Sequence, residues 1–424
     1  MRYRGAMYGV YVHIPWCRLR CPYCAFAVST RRDPPHAAYT DAVVREWALR
    51  RDLFPGRPAS VFFGGGTPSL CPPDELGRIL AALDPLPGAE VSMEANPGDL
   101  PVPLSAFRDA GITRLSLGVQ SFDPVVARRL GRGHTSDDAR ALVAEAKATG
   151  FASVSFDLIF AVPGQTLAAF QADLAAVVAL APDHVSLYGL TIEPDTAFAR
   201  ARTPAVDEDL WRAMYDAAVE ALEAAGIQRY EVSNFARPGH RSCHNEHYWR
   251  ARPWAGLGAS AHAWWPDGTR AANLADVDAY LAAADPLESR ERPAPRALAY
   301  ELLWSTLRHV DGADRAVITA RTGLEIRVDP ALVRGGLVVE QGAYVRLTAE
   351  GFPVADAVAA RLADALVDAD PGAPLPVVDR VSDTGDHPAS DGHEQVDAHR
   401  AAAGAGGSPD RDRSEPHRGG PRRR

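Results

Sequence analysis

The sequence predicts an α/β fold whose central parallel sheet curves into a partial barrel of the TIM type. Short β-rich runs alternate with helical patterns about six times between Gly9 and about Phe235, which is typical of consecutive β-α-β units. Several runs read as apolar on both faces, as do strands that helices cover on both sides. Glycine-rich and polar motifs follow the runs, at the strand ends where the reactive groups of barrels gather.

Each predicted element has its own segment of the chain. The predicted strands are GVYVHI, SVFFGG, EVSMEA, RLSLGV, SVSFDLIF, HVSLYGL and RYEVSNF. The predicted helices cover residues 37–53, 74–83, 136–149, 167–180 and 207–225. Right-handed crossovers through these helices would keep the strands parallel.

The chain divides into four predicted regions. Residues 1–235 form the barrel and residues 236–294 a connector. Residues 295–368 form a small helical and winged domain, because an amphipathic run, a hairpin pattern and a last helical run follow one another there. Residues 369–424 contain no aromatic residue and are rich in small and charged ones, so we expect a disordered tail.

Composition and charge narrow the class of protein. The chain has 424 residues, a net charge of -9 and a pI of about 5.8, so it has room for two domains and no general attraction for nucleic acid. Its five cysteines, three of them close together, do not resemble a secreted disulfide framework. We see neither a signal peptide nor an apolar run of about 18 residues, and expect a soluble, cytoplasmic protein.

Three cysteines near the start of the chain carry the strongest chemical signal. Cys17, Cys21 and Cys24 have the spacing Cys-x3-Cys-x2-Cys. Three thiolates can bind three irons of a [4Fe–4S] cluster and leave the fourth iron open to an exchangeable ligand. Two other interpretations remain: a Cys3His zinc site that includes His13, and buried structural cysteines. Ligand type and spacing favour the cluster.

Polar groups follow several of the predicted strands. The turn GGGTP, residues 64–68, permits close approach of a ligand to the backbone, but it lacks the lysine of a P-loop. Glu94, Gln120, Arg132 and Asp157 stand at or just past strand ends. As a set they predict contacts to a cofactor, with Arg132 on a carboxylate; singly, each could equally form a salt bridge at the barrel rim.

Seven segments resemble a known family. They are YVHIPWC, CPYCAF, FFGGGTPS, RLSLGVQSF, LGRGHT, DLIFAVPGQT and HVSLYGLTIEPDTAF. The chain resembles radical S-adenosylmethionine (SAM) proteins, and among them the oxygen-independent coproporphyrinogen III dehydrogenases and their HemW-type relatives, the haem chaperones. The resemblance covers roughly residues 8–366. It implies a radical SAM barrel with SAM bound at the open iron of a [4Fe–4S] cluster.

The resemblance also implies roles for individual residues. The cluster ligands would be Cys17, Cys21 and Cys24. The residues near the SAM on the open iron would be Tyr11, Gly65, Glu94 and Gly189. The residues that match positions holding a second SAM in the dehydrogenase are Tyr23, Gly66, Thr67, Gln120, Arg132 and Asp157. Binding of one SAM or of two remains open.

Two features separate the branches of this group. The dehydrogenase has a further cysteine two residues after the third one, where this chain has Phe26. The run HNEHYW, residues 244–249, matches the His-Asn-x-x-Tyr-Trp signature of the haem chaperones. Both features favour the chaperone branch.

The resemblance implies a haem site at the HNEHYW run. Neutral imidazole is a common axial ligand of haem iron, so His244 is the predicted ligand, and Tyr248 and Trp249 would supply flat apolar area. The alternative ligands are His247, His240, His262 and the Cys243 thiol. The plain structural alternative is an aromatic loop that packs under the barrel with its histidines satisfied by hydrogen bonds.

The sequence therefore predicts a haem chaperone that binds haem and a SAM-ligated cluster and passes haem to an apo-haemoprotein, such as a membrane respiratory enzyme. The alternative is an oxygen-independent coproporphyrinogen III oxidase of porphyrin biosynthesis. A third interpretation, a haem-binding regulatory module whose winged part contacts nucleic acid, is disfavoured by the acidic charge. Neither the haem acceptor nor the electron donor follows from the sequence.

Overall fold

The computed structural model describes residues 7–369 and Glu394–Gln395. The strands of this part of the chain are β1 (Gly9–Ile14), β2 (Ser60–Gly65), β3 (Glu90–Ala95), β4 (Arg114–Gln120), β5 (Ser153–Phe160), β6 (His184–Gly189), β7 (Gln228–Val232), β8 (Asn234–Ala236), β9 (Trp254–Leu257), β10 (His262–Trp264), β11 (Arg270–Asn273), β12 (Leu287–Glu291), β13 (Ala313–Asp314), β14 (Leu324–Glu325), β15 (Val338–Gln341), β16 (Tyr344–Leu347), β17 (Val367–Asp368) and β18 (Glu394–Gln395). The predicted disordered tail, 369–424, lies outside the described residues except for Ala369 and β18.

Helices alternate with the strands of the sheet. They are α1 (His36–Arg50), α2 (Pro73–Leu83), α3 (Leu104–Asp109), α4 (Pro124–Arg129), α5 (Ser136–Thr149), α6 (Leu167–Leu180), α7 (Ala197–Arg200), α8 (Glu208–Ala224), α9 (Cys243–Trp249), α10 (Val277–Ala282), α11 (Pro295–Leu307), α12 (Arg315–Thr322), α13 (Pro330–Arg334) and α14 (Ala355–Asp364). Local chemistry sets several boundaries: Thr135 and Asp138 form a capping box at the start of α5, and Gly150 ends that helix with φ 78°. None of these helices is both long enough and apolar enough to cross a membrane.

Six consecutive parallel strands, β1 to β6, form the partial barrel. Each pairs with the next in chain order, and helices make the crossovers, as the alternating pattern predicted. The strand order does not return to its start: β8 and β7 continue one edge and β9 to β12 the other. The predicted seventh strand, RYEVSNF, is instead two antiparallel strands, because the chain turns at Ser233 and β8 pairs back onto β6.

The prediction that several barrel strands are apolar on both faces does not hold for β3 to β6. Strands β3 to β6 alternate apolar with polar residues, as in Arg114-Leu115-Ser116-Leu117 of β4. The apolar residues, such as Leu115 and Leu117, lie in the main hydrophobic core, whereas Arg114 and Ser116 face a cavity inside the barrel. Both sets are largely buried, so the period of two reflects a polar interior rather than a solvent-exposed face.

The segment 236–294 extends the barrel sheet. Strand β9 pairs in parallel with β1, and β10 to β12 follow as antiparallel neighbours. A buried carboxylate, Glu46 of α1, ties this segment down. It accepts hydrogen bonds from the Gly258 backbone N–H (2.9 Å), the Asn273 amide (2.6 Å) and the Tyr280 hydroxyl (2.7 Å).

Residues 295–368 surround a second hydrophobic core. Helices α11, α12 and α14 contribute Leu302, Ile318 and Leu362 to it, and the β15–β16 hairpin contributes Val345. Strands β15 and β16 form a hairpin, and α14 is the last helix of this region. Because Trp264 of β10 also belongs to this core, the barrel sheet and the C-terminal helices are packed against each other.

Glu46 makes the stability of the fold depend on pH. Burial raises the pKa of Glu46 to about 7, although its three hydrogen bonds lower it. A carboxyl with a raised pKa stabilises the fold most when it is protonated, below its unfolded pKa near 4.5, and this stability is lost as the pH rises through 7. Relative to Glu46→Gln, the wild type should lose about 2 to 3 kcal/mol of unfolding free energy between about pH 5 and about pH 8.

Urea unfolding across this pH range is the measurement. The same substitution at the exposed Glu220 is the control and should follow the wild-type curve. If the unfolding free energies of the wild type and Glu46→Gln change in parallel with pH, Glu46 does not titrate in this range.

Candidate functional site

A cavity of about 850 Å³ opens at the carboxyl ends of the parallel strands and extends into the barrel. It brings together the predicted cluster ligands, the predicted SAM-binding residues and the predicted haem ligand. The lining includes Tyr11, Cys17, Cys21, Tyr23, Cys24, Gly65, Gly66, Thr67, Glu94, Gln120, Arg132, Asp157, Gly189 and His244. The individual roles of these residues stay predictions, but their common location agrees with one composite site.

The three cysteines lie half-buried on the loop after β1, and none of them forms a disulfide. Burial raises the pKa of the Cys17 thiol to about 12, against a lowering hydrogen bond from Thr67. A thiolate here therefore requires nearby positive charge, which iron ligated by the thiolates would supply. In the described part of the chain no three Cys, His, Asp or Glu side chains are grouped to hold one ion.

A series of hydrogen bonds joins two of the cysteines. The Cys17 sulfur lies 3.6 Å from the Thr67 hydroxyl, which accepts from the Asn96 amide at 2.9 Å. Arg132 donates to Asn96 Oδ1 and to the Gly118 carbonyl (2.8 Å), and its other terminal nitrogen lies 3.8 Å from the Cys21 sulfur. The series connects the loop to the ends of β2, β3 and β4. Asn96 was not singled out from the sequence.

The glycine turn after β2 packs directly against the cysteine loop. A Cβ at Gly66 would lie 2.7 Å from the backbone oxygens of both Ile14 and Trp16, which cannot move aside. Gly65 has φ 105°, a conformation that favours glycine, and its N–H donates to Glu94 Oε2 at 3.1 Å. The glycines are therefore required for the close fit of two backbone segments.

Tyr11 and His13 hold the far end of the cysteine loop. His13 Nε2 donates to the Ala27 carbonyl at 2.8 Å, so Nδ1 accepts from the Tyr11 hydroxyl at 3.0 Å. Both ring nitrogens are thus occupied by protein groups. His13 is a structural clamp in this arrangement and is not positioned as a fourth ligand of a zinc ion.

Gln120 and Asp157 present polar groups to the cavity. Gln120 ends β4 with φ 66°, which is uncommon for a residue with a side chain, and its buried Oε1 has no hydrogen-bond partner among the described residues. A buried acceptor without a donor is costly, so this oxygen suits a ligand hydroxyl or amine. Burial raises the pKa of Asp157 to about 6, while hydrogen bonds led by the Ser116 hydroxyl (2.8 Å) lower it.

Two further predicted residues line the cavity through packing. The Tyr23 ring packs on a small apolar cluster that includes Leu130 and Ile159. Gly189 ends β6 beside Trp211, and a Cβ there would lie 2.7 Å from the indole nitrogen. Packing against neighbouring side chains therefore places Tyr23 and Gly189 in the cavity lining.

The HNEHYW run forms α9 at the inner end of the cavity. His244 is 1% exposed; its Nδ1 lies 3.0 Å from the Ser60 hydroxyl and its Nε2 2.9 Å from the Tyr248 hydroxyl. His244 and Tyr248 line the cavity, whereas His247 and Trp249 are not in its lining. Trp249 packs toward Trp304 of α11, with ring centroids 6.2 Å apart, so it does not supply the expected flat surface.

Polar residues that the sequence reasoning missed line the middle of the cavity. They are Ser92, Asn96, Arg114, Ser116, Ser155, His184 and Ser186. Their signal was present in the alternation of polar and apolar residues along β3 to β6. Both faces of these strands are buried, so the alternation indicates an internal cavity.

Comparison with known proteins identifies the family. The profile of the radical SAM superfamily matches residues 11–177. The chain is similar to the heme chaperone HemW of Escherichia coli, with 33% identity over 365 residues that cover 81% of this chain and 94% of the relative. The chain belongs to the HemW family of radical SAM proteins.

The chain is also similar to a mitochondrial protein and to a solved structure. The mouse mitochondrial protein radical S-adenosyl methionine domain-containing protein 1 is 41% identical over 271 residues, 61% of each chain. Among solved structures, E. coli coproporphyrinogen III oxidase (HemN) has a TM-score of 0.72 at 24% identity and covers 85% of this chain and 90% of its own. This likeness establishes the shared fold and confirms the predicted partial barrel.

Membership of the HemW family implies a [4Fe–4S] cluster and SAM, and the cavity fits both. The three thiols at its mouth are the donor set of such a cluster, and the unpartnered Gln120 oxygen faces the same space. No other cysteine lines the cavity in the described part of the chain.

Cluster assembly should depend on the loop cysteines and not on the other two. After anaerobic reconstitution, Cys24→Ala should lose most of its iron and acid-labile sulfide, because a cluster held by two thiolates is poorly retained. Cys243→Ala, at an exposed cysteine outside the cavity, should match the wild type. Equal iron and sulfide in the two variants, or reconstitution with zinc alone, would contradict the cluster assignment.

Proposed function

We propose that this protein is a haem chaperone that binds haem and a SAM-ligated [4Fe–4S] cluster and delivers haem to an apo-haemoprotein. Two lines support the proposal: the 33% identity to the heme chaperone HemW over nearly its whole length, and the presence of His244 and Tyr248 in the same cavity as the three cysteines. The second observation carries most weight, because it joins the predicted haem motif to the predicted cluster site.

The chain's own residues have separate tasks in this proposal. Cys17, Cys21 and Cys24 hold the cluster, which supplies single-electron reduction when bound. The Thr67–Asn96–Arg132 series keeps two of the thiols in place, and Gln120 and Glu94 offer acceptors to SAM. The cavity volume of about 850 Å³ is within the usual range of small-molecule and cofactor sites.

The proposed haem ligand, His244, must exchange one hydrogen bond for an iron bond. Both of its nitrogens have a hydroxyl neighbour, and the Nε2 that faces Tyr248 would have to release it. Aromatic rings surround this point: Phe62 stacks on the His244 ring with centroids 5.2 Å apart, and Trp254 meets Tyr248 edge-on at 4.7 Å. These rings supply the flat apolar contact that Trp249 does not.

A pair of substitutions separates ligation by His244 from a packing role. If Nε2 binds iron, Tyr248→Phe removes a competitor, so this variant should keep the wild-type Soret spectrum and bind haem at least as tightly. His244→Ala should change the Soret maximum and weaken haem binding about tenfold or more. His247→Ala, at a buried histidine outside the cavity lining, is the control. Equal weakening in Tyr248→Phe and His244→Ala without a spectral change would indicate packing alone.

The second candidate function is oxygen-independent coproporphyrinogen III oxidation, which the fold shared with HemN favours. The residue at the extra cysteine position of that branch is Phe26, and it lines the cavity here. We expect no protoporphyrinogen when the reconstituted protein receives coproporphyrinogen III, SAM and reductant without oxygen, while haem binding persists. Turnover well above a Cys24→Ala control would instead identify an oxidase.

The partners of this chaperone are proposed by class only. Haem is the cargo, and a haemoprotein that lacks its haem is the acceptor. An electron donor would be needed for reduction of the cluster, and nucleic acid is not expected as a partner at a net charge of -9. A cytoplasmic location remains a prediction.

A further inference from the structure

Two buried hydrogen-bond donors inside the barrel have no partner among the described residues. They are Nη2 of Arg114 and the hydroxyl of Ser92. Arg114 is 4% exposed and Ser92 is 1% exposed, and both line the cavity. A guanidinium N–H and a hydroxyl that are buried without acceptors destabilise a protein, so their presence in a cavity indicates a site for an acceptor.

The sheet places these two donors side by side. Phe62 of β2, Ser92 of β3 and Arg114 of β4 are successive partners in the strand register, with one side-chain direction. Arg114 is held firmly, because Nη1 donates to the Ser153 hydroxyl (3.0 Å) and to the His240 carbonyl (2.9 Å). Its position is thus preorganised while Nη2 remains available to a ligand.

The charge balance indicates the kind of acceptor. Glu90 lies 3.5 Å from Arg114 and offsets part of the guanidinium charge, which disfavours a multiply charged group such as phosphate. A carboxylate is a single charge with two oxygens and matches a pair of adjacent donors. The geometry therefore favours a carboxylate over a larger anion.

Glu90 also connects this pair to the proposed haem ligand. Its other oxygen accepts from the backbone N–H of His244 at 3.1 Å, and the His244 ring stacks on Phe62, the strand neighbour of Ser92. Two arginines lie just before the HNEHYW run, Arg237 and Arg241, but neither is in the cavity lining. Arg114 faces the cavity, and Glu90 joins it to the backbone of His244.

We propose that Ser92 and Arg114 bind a carboxylate of the ligand in this cavity, and that this carboxylate is a haem propionate. The inference rests on the proposed haem chaperone function and adds the group that orients the porphyrin. SAM also carries a carboxylate, but Arg132, beside Cys21 at the cavity mouth, is the predicted partner of that one.

The test measures dissociation constants for ferric haem, haem dimethyl ester and SAM in one detergent-containing buffer. The variants are Ser92→Ala and Arg114→Lys. Their controls are Ser69→Ala, at an equally buried serine with an unpartnered hydroxyl outside the cavity lining, and Arg308→Lys, at a buried arginine of the C-terminal domain. Circular dichroism checks that each variant folds. If Arg114→Lys does not fold, the result for Ser92→Ala alone tests the proposal.

We expect each cavity variant to bind haem about tenfold more weakly, the value for loss of a hydrogen bond to a charged group. The dimethyl ester, which lacks both carboxylates, should bind wild type and variants alike, and SAM binding should not change. Unchanged haem affinity in Ser92→Ala, or an equal loss for the ester, would overturn the proposal. A loss confined to SAM would assign the carboxylate to SAM and overturn the haem assignment. Absence of haem binding by the wild type would overturn the proposed function itself.

Discussion

The alternation of side chains along six parallel strands is the constraint on which this structure depends. Each strand sends one set of side chains outward, where Leu115 and Leu117 join the apolar core, and the other set inward. Because the barrel is wide and only partly closed, the inward set lines a cavity instead of filling a second core. The same pattern thus provides the apolar burial that stabilises the fold and the polar interior that can hold a ligand.

A polar interior must remain satisfied when no ligand is present. Most of the inward groups meet this condition through one another: His184 lies between the hydroxyls of Ser155 and Tyr230, each 2.7 Å from a ring nitrogen, and His244 lies between those of Ser60 and Tyr248. The exceptions, such as Gln120 Oε1 and Arg114 Nη2, are therefore informative. For the proposed loading and release of haem, hydroxyls that can rotate would suit the exchange, because they donate or accept as the ligand state requires.

The cysteine loop shows how a site of this kind is held without regular secondary structure. Backbone contacts at Gly66, the His13–Ala27 hydrogen bond and the Thr67–Asn96–Arg132 series attach it to the ends of four strands. These contacts come from residues up to about a hundred positions apart in sequence. They hold two of the three sulfurs against the rim of the barrel, so the loop can be exposed enough to accept a cluster and still be ordered.

The sequence by itself determined the six parallel strands, the long helices and the residues at the mouth of the cavity, because hydrophobic period and strand-end motifs are local signals that parallel pairing brings to one rim. It also carried the alternation that lines the cavity, although that alternation was taken for strands apolar on both faces. Only the tertiary structure decided that RYEVSNF doubles back, that Trp249 packs away from the cavity, and that Arg114 rather than Arg237 or Arg241 faces it. These outcomes depend on which distant surfaces meet, and no local pattern encodes that.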